Sequence, residues 1–422
     1  MKYITETLRT PVGEAFDVVV AGAGPAGCCA AIAAARAGAK TLLVEQAECF
    51  GGMWTTGLVN PVFDYANKSG ILIEILDRLK GRCGFGGFIR SCYQIEDMKQ
   101  LLDELLTESG AALLTGTTVS AVLKDGNTVT GLVVENKGGR IAYPAKAIID
   151  CTGDGDVCAR AGAATAMGGE DELDIQAMTL MFLLDRIRFD QQGWYDLCQL
   201  IEQAAEKNGS DYKLPYRRPY IIQAPGNEQA VVQLTHMRNK NPLDGFDHTA
   251  AMIEGRKQAH DVYLFMKENI PQFKDISLGQ TAAMLGVRES RRLVGEYVLP
   301  IEDCLAGKIP ADSVTVATFN VDIHNNKNQE QSHFDVMPYG IPYRCLVPKE
   351  VDGLLAAGRC ISGTHESEAS YRVTGNCAAM GQAAGAAAAL SAKLGCRLRE
   401  LPFAQLSALL TQQGYVMPTP NC

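Results

Sequence analysis

The 422-residue chain lacks most of the signals that would place it in a specialised class. Its fourteen cysteines contain no C-x-x-C and are scattered without the spacing of a disulfide framework or a zinc ribbon. Reduced thiols buried as small apolar residues, a cytoplasmic location and no bound metal are the expectation. Histidine is scarce, at six, and none falls into ligand spacing. Positive charge is outnumbered, 39 Lys and Arg against 48 Asp and Glu, which argues against a nucleic-acid surface but not against a local cationic pocket. Long apolar runs are missing too. The longest, 21–35 and 377–392, are rich in Gly and Ala and too short for a bilayer, so no membrane partner is expected. Residues 1–14 show no apolar core with a cleavage site, hence no signal peptide is read there. No low-complexity tract or long repeat interrupts a composition that is 47% apolar and 21% charged, enough for two domains or one large discontinuous one.

What is present begins with Asp17–Gly27. Four apolar positions, Val18 to Ala21, read as a buried parallel strand, and Gly22-Ala23-Gly24-Pro25-Ala26-Gly27 then matches G-x-G-x-x-G ahead of an Ala-rich helix. That order is the context of a dinucleotide site. Gly22 permits the tight turn, Gly24 lets a pyrophosphate approach the backbone, and Gly27 lets helix and strand pack closely. The helix N-terminus offers unpaired N–H groups to the phosphates. A second strand, 40–45, ends in Glu45, placed to accept hydrogen bonds from an adenosine ribose and to disfavour a 2′-phosphate. The ligand is therefore FAD or NAD rather than NADP.

Further along, residues 71–79 and 95–109 read as helices, the latter with Met98, Leu101, Leu102, Leu105 and Leu106 on one face. Strands follow at 112–114, 117–124 and 128–135, with a hairpin turn at Asp125-Gly126-Asn127. Lys146–Gly153 is an apolar strand running into a second glycine turn. From about 168 to 339 the βα rhythm is lost and aromatics, amides, histidines and arginines become more frequent. The rhythm returns in Gly353–Arg359 and a small-residue helix near 376–394. The expected organisation is α/β: a Rossmann-like nucleotide-binding domain in two parts, 1–167 and 340–422, with an inserted α+β substrate domain, 168–339.

Together these segments resemble the FAD-dependent oxidoreductases of the glutathione-reductase structural class, and more closely the branch related to fumarate reductase and succinate dehydrogenase flavoproteins. Four pieces carry the resemblance: the first glycine turn with Glu45, Phe50-Gly51-Gly52-Met53, Ile149–Asp156 with its D-x-T-G-D-G-D pattern, and Ala356–Arg359 continuing through Arg372-Val373-Thr374-Gly375-Asn376 to Gly385. Gly286–Tyr297 is similar to a stretch of the uncharacterised FAD-dependent oxidoreductases. The resemblance implies FAD held by Gly22, Gly24, Pro25, Ala26, Gly27, Glu45, Gln46, Gly51, Gly52, Met53, Trp54, Thr118, Val119, Thr152, Gly153, Asp154, Gly358, Arg359, Gly375 and Asn376, with a helix N-terminus at the flavin pyrimidine. A positive dipole end there stabilises the charge of a reduced flavin.

No second G-x-G-x-x-G and no redox cysteine pair is present, which sets the disulfide reductases aside. In the resembling branch an arginine of R-L-G-G-N grips a substrate carboxylate, and Arg372 occupies the matching place; its planar fork suits that role, against the alternative of an ion pair with Glu366 or Glu368. His365 is a candidate acid, base or orienter. Arg288 and Arg292 are expected on one face of a helix, with Arg288 toward an anionic substrate or the FAD phosphates. The H-x-T-x-G-G segment of fumarate reductases is missing, which makes Tyr339, Tyr343 and Arg344 alternative pocket residues. His236, His248, His260, His324 and His333 are expected at the surface. The implied function is hydride transfer between flavin N5 and a small polar, anionic or hydroxylated metabolite. A flavoprotein monooxygenase and an electron-transfer subunit working with a partner are the alternatives.

Overall fold

The computed structural model describes residues 4–82, 91–169, 171, 174–187, 194–207, 214–216, 218–225, 228–328 and 331–422; Cys83 and the first three residues of the N-terminal reading lie outside these. Phe16–Ala21 forms β1, whose Val18, Val19 and Val20 are all fully buried, as a parallel strand covered on both faces requires. Pro25 opens α1 (Pro25–Arg36), where its fixed φ suits the first helical position and its missing N–H costs nothing. β2 (Thr41–Val44) follows, then α2 (Ile71–Lys80) and α3 (Ile95–Ser109). The α3 helix buries Ile95, Met98, Leu101, Leu102, Leu105 and Leu106 in one stripe and stops at Gly110 in the left-handed region.

β3 (Ala112–Leu114), β4 (Thr118–Asp125), β5 (Thr128–Asn136) and β6 (Gly139–Asp150) bring the main sheet to six of its seven strands. Its order is β3-β2-β1-β6-β5-β4, and Leu354–Ala356 adds a seventh strand beside β6. β6 divides its twelve residues between an antiparallel part and a parallel part. Gly139–Pro144 pairs antiparallel with β5, while the following residues pair parallel with β1 and with Leu354–Ala356. The register aligns Ala21 with Val44 and Asp150, Val44 with Leu114, and Asp150 with Ala356. Five turns from distant parts of the sequence therefore leave the sheet side by side at its carboxyl edge, where open α/β sheets bind ligands.

A second sheet is antiparallel, in the order Ser277–Thr281, Phe182–Asp185, Gln229–Gln233, Tyr220–Gln223. Its side chains alternate between two cores. Phe182, Leu184, Ile221 and Val232 face a cluster with Val262, Phe265 and Met266 of the Gly245–Asn269 helix, whereas Leu183, Ile222 and Val231 join the main core. Among the described residues no helix is long and apolar enough to cross a membrane.

The helix expected around Arg288–Arg292 does not form. Gly286 exchanges both backbone hydrogen bonds with Thr179, Leu293 N–H donates to Cys360, and Val294 N–H donates to Ala164. Backbone groups satisfied by neighbouring segments leave nothing for an i→i−4 ladder, so this run is extended and its arginines diverge.

Candidate cofactor and substrate site

At the carboxyl edge of the main sheet the three glycines of the first turn meet different surroundings. Gly22 sits at φ +87°, and a Cβ there would lie 2.6 Å from the Cys151 carbonyl oxygen. A Cβ on Gly27 would overlap the Gly22 carbonyl oxygen. Gly24, which caps α1 in ordinary extended backbone, has nothing within 4 Å of its Cβ position. Gly51 N–H donates to the Ala23 carbonyl at 2.7 Å, and a Cβ on Gly52 would lie 2.9 Å from Gly24 Cα, so the second glycine turn is stacked on the first. Gly358, at φ +95°, lies between Ala26 of α1 and Cys377 of the Thr374–Leu394 helix. The first turn of each of these two helices holds no acidic residue.

Their axes approach closely because Gly381 and Gly385 rest on the carbonyl oxygens of Ala26 and Ala30, where any Cβ would clash. Glu45 accepts from Ala23 N–H at 2.6 Å and Ala47 N–H at 2.8 Å, with burial pushing its carboxyl up. It is tied through its own backbone carbonyl to Thr117 N–H at 2.9 Å, which sets Thr118 and Val119 beside it. Asp150 is fully buried and accepts from Thr152 N–H, Thr152 Oγ1–H and Cys158 N–H, pinning the Cys151–Gly155 turn. Asp154 binds Arg359 Nη2 at 2.7 Å and Ser290 Oγ at 2.6 Å, joining three segments. A cleft of about 570 Å³ opens here, lined by Gln46, Asp154, Asp156, Arg160 and Arg291 with Pro242 and Leu243.

Deeper polar atoms are left over. Both amide atoms of Asn376, Trp54 Nε1 and Thr374 Oγ1 are buried with no hydrogen-bond partner among the described residues. Donors and acceptors of this kind suit the polar edge of a flavin, and the open cradle at Gly24 above a helix N-terminus suits a pyrophosphate. The residues present fit FAD. The vicinal Cys28 and Cys29 are fully buried, and burial pushes both thiols up, away from a reactive thiolate.

A second constellation lies where the extended 283–288 segment passes the Gly52–Thr56 turn: the Ala283 and Met284 N–H groups donate to Thr56 O, and Met53 reaches Gly286. Arg288 is buried and donates to Ala177 O and Thr179 Oγ1, both neutral; burial and the neighbouring Arg372 hold its guanidinium down at about 10. Arg372 caps the His365–Tyr371 helix and donates to Gln176 Oε1 at 3.1 Å and Asp322 O at 2.8 Å, with Asp322 Oδ2 at 3.9 Å. Its ion-pair partner is thus Asp322 rather than Glu366 or Glu368.

Asp322 also pairs with His324 Nε2 at 3.0 Å, and His324 Nδ1 is 3.0 Å from His236 Nε2. Burial raises the Asp322 carboxyl, but His324, Arg372 and Gln331 outweigh it and hold it well below the usual range. The Tyr216 ring stacks on His236 with centroids 4.0 Å apart. Both histidines are only 2% exposed, a correction to the expected surface placement. They are 88 residues apart and a histidine carries no local mark of burial, so no sequence signal pairs them. His333 and His260 are exposed and His248 is half-buried.

His365 starts the helix that Arg372 caps, so the two stand about 10 Å apart along its axis. Its Nδ1 contacts Glu289 at 2.9 Å, and that contact outweighs burial and raises the imidazole. Glu289 also binds Arg292, and Glu368 lies buried nearby with both oxygens unpartnered among the described residues. Tyr339 donates to Ser370, Tyr343 to Leu398 O, and Arg344 pairs with Asp312 at 2.9 Å, which engages all three away from the Arg288–Arg372 constellation.

A parallel sheet with a glycine turn, a ribose-side acid and a second helix N-terminus defines a dinucleotide-binding flavoprotein class. The model of the FAD dependent oxidoreductase family matches residues 17–410, and the chain belongs to that family. It is an FAD-dependent enzyme. Thiamine thiazole synthase from Saccharolobus islandicus is 32% identical over 152 residues, covering 32% of this chain and 54% of the relative. The synthase from Aeropyrum pernix is 37% identical over 120 residues, covering 28% and 43%. The chain spans about half the length of these curated relatives. A geranylgeranyl bacteriochlorophyll reductase-like protein from Thermoplasma acidophilum superposes with a TM-score of 0.47 at 15% identity, over 95% of this chain and 85% of that one. A flavin-dependent brominase gives 0.49 at 13%, over 95% and 84%.

Proposed function

We propose that the chain transfers hydride between FAD and a small hydroxylated or carbonyl-bearing anion whose carboxylate lies between Arg288 and Arg372. In this reading residues 168–339 are the substrate-facing part, set between the cofactor-binding parts 1–167 and 340–422. The observation that carries it is a charge imbalance. Buried Arg288 and partly buried Arg372 have one ion-pairing carboxylate beside them among the described residues, Asp322, which also serves His324, and Arg288 bonds only to neutral oxygens. A bound carboxylate supplies the missing charge and relieves the repulsion that Arg372 exerts on Arg288.

FAD would be held by the two stacked glycine turns, Glu45, Gly358 and the N-terminus of the Thr374–Leu394 helix, and when bound it supplies a hydride acceptor or donor. The chain's own contribution is to orient the anion, through Arg288 fixed by Ala177 and Thr179 and Arg372 fixed by Gln176 and Asp322.

The test is anaerobic mixing of the flavin-loaded enzyme with hydroxy mono- and dicarboxylates and with their neutral amides, followed by flavin absorbance near ~450 nm. Bleaching by acids alone is expected, and R288Q or R372Q should raise KM for the acid roughly 10- to 150-fold, the loss of one charged hydrogen-bond contact. Equal bleaching by the neutral amides, or an unchanged KM in both variants, refutes the anion site.

A further inference from the structure

The Asp322–His324–His236 chain is built beyond what fold stability asks of it. Its three side chains come from two segments, and its two contacts are both 3.0 Å. Asp322 is held ionised, so it accepts from His324 Nε2–H. Burial and Arg288 keep the His324 imidazole neutral, down at about 4, which leaves its Nδ1 as a bare acceptor. His236 is likewise held neutral by burial and Arg288, so its proton sits on Nε2 and is donated to His324 Nδ1. The remaining atom, His236 Nδ1, is then an unprotonated nitrogen, buried and without a partner among the described residues. Arg288, His324 and Arg238 are the charged or titratable groups acting on the His236 ring, the Thr235 backbone carbonyl acts in the opposite direction but is outweighed, and the Tyr216 ring covers one face. A buried base of this kind, backed by a second imidazole and a carboxylate beside an unneutralised arginine, is costly unless a proton is delivered to it.

We infer that His236 Nδ1 is the base that takes the hydroxyl proton of the bound anion, with His324 and Asp322 as positioning residues that share the charge. The inference rests on the anion site proposed above. As the substrate is oxidised, the electron pair of its C–H bond leaves with the hydride to FAD and the O–H pair becomes the second C–O bond. The proton goes to His236 Nδ1. The proton on His236 Nε2 passes to His324 Nδ1, and the resulting positive charge lies against Asp322. Reduction of a carbonyl runs the same transfers backward.

The test combines nitrogen-15 NMR of histidine-labelled holoenzyme with kinetics of the H236Q and D322N variants. In the unsubstituted holoenzyme both imidazoles should be neutral with the proton on Nε2 down to about pH 6; a proton on His236 Nδ1 overturns the relay and needs no variant to fold. H236Q should keep FAD and keep KM for the acid while kcat falls roughly 10²- to 10⁴-fold, and the deficit should narrow as pH rises and hydroxide replaces the base. D322N should shift the acidic limb of the kcat profile to lower pH, an effect that a purely structural carboxylate would not produce. Bleaching by hydroxy acids with an unchanged kcat in H236Q overturns the relay and leaves the anion site standing. Failure of every hydroxy acid to bleach the flavin overturns the anion site, and the relay with it.

Discussion

Replacing Gly24 by alanine separates the ligand's demands from the fold's. Gly24 caps α1 at φ −70°, ψ −170°, an ordinary extended conformation, and nothing lies within 4 Å of its Cβ position. Alanine is a poorer cap than glycine, a loss of up to about 1 kcal/mol. Against that, alanine lowers the entropy of the unfolded chain at a compatible site, a gain of about 0.4–1 kcal/mol. The two offset each other, so the flavin-stripped G24A chain should unfold in urea within about 0.5 kcal/mol of the parent. With FAD the balance changes, because the new methyl group enters the space assigned to the pyrophosphate. Taking the ordinary cost of overpacking, about 1–3 kcal/mol, the dissociation constant for FAD should rise roughly 5- to 150-fold. Urea unfolding by circular dichroism measures the first quantity, and quenching of flavin fluorescence on titration the second. G27A is the control: its methyl group would overlap the Gly22 carbonyl oxygen, so it should lose stability with or without FAD. An FAD affinity in G24A within twofold of the parent would refute the placement of the phosphates. A large loss of stability in the stripped variant would show that the glycine serves packing instead.

Two further predictions follow from the same geometry. G385A should cost about 1–3 kcal/mol in urea unfolding, because its methyl group meets the Ala30 carbonyl oxygen at the crossing of α1 and the Thr374–Leu394 helix; an unchanged midpoint would mean that the two helices do not approach this closely. His324 is held neutral down to about 4, whereas an unfolded histidine titrates near the ordinary value of 6.5. Between those values the unfolded state binds more protons, so stability is fully present above about pH 6.5 and declines as pH falls toward about 4, by about 3 kcal/mol in total. In H324Q this share of the pH slope should vanish; the same slope in parent and variant would exclude His324 as its source.

The parts of the molecule legible in the sequence are those whose physics is local. A strand of four small apolar residues, a glycine turn and a helix opened by Pro25 lie within twenty-one positions, so backbone sterics and helix-end electrostatics act between near neighbours. The stripe of α3 is equally local. Arg288–Arg292 misled because side-chain spacing alone does not say whether backbone bonds run within the segment; here Thr179, Cys360 and Ala164 claim them. The Asp154–Arg359 pair spans 205 positions and gives no sign in either stretch alone.

By itself the sequence determined that a dinucleotide turn opens the chain, that an acid closes the next strand, and that glycines recur where backbones must come close. Each of these depends on residue type and on spacing along a few turns of chain. Only the tertiary structure decided that Gly24, Gly52 and Gly358 meet at one edge, since parallel register across β1, β6 and Leu354–Ala356 sets that edge. It alone brought His236, His324, Asp322, Arg288 and Arg372 together. The charge state of such groups is fixed by burial and by partners far away in sequence, and neither exists before the chain is folded.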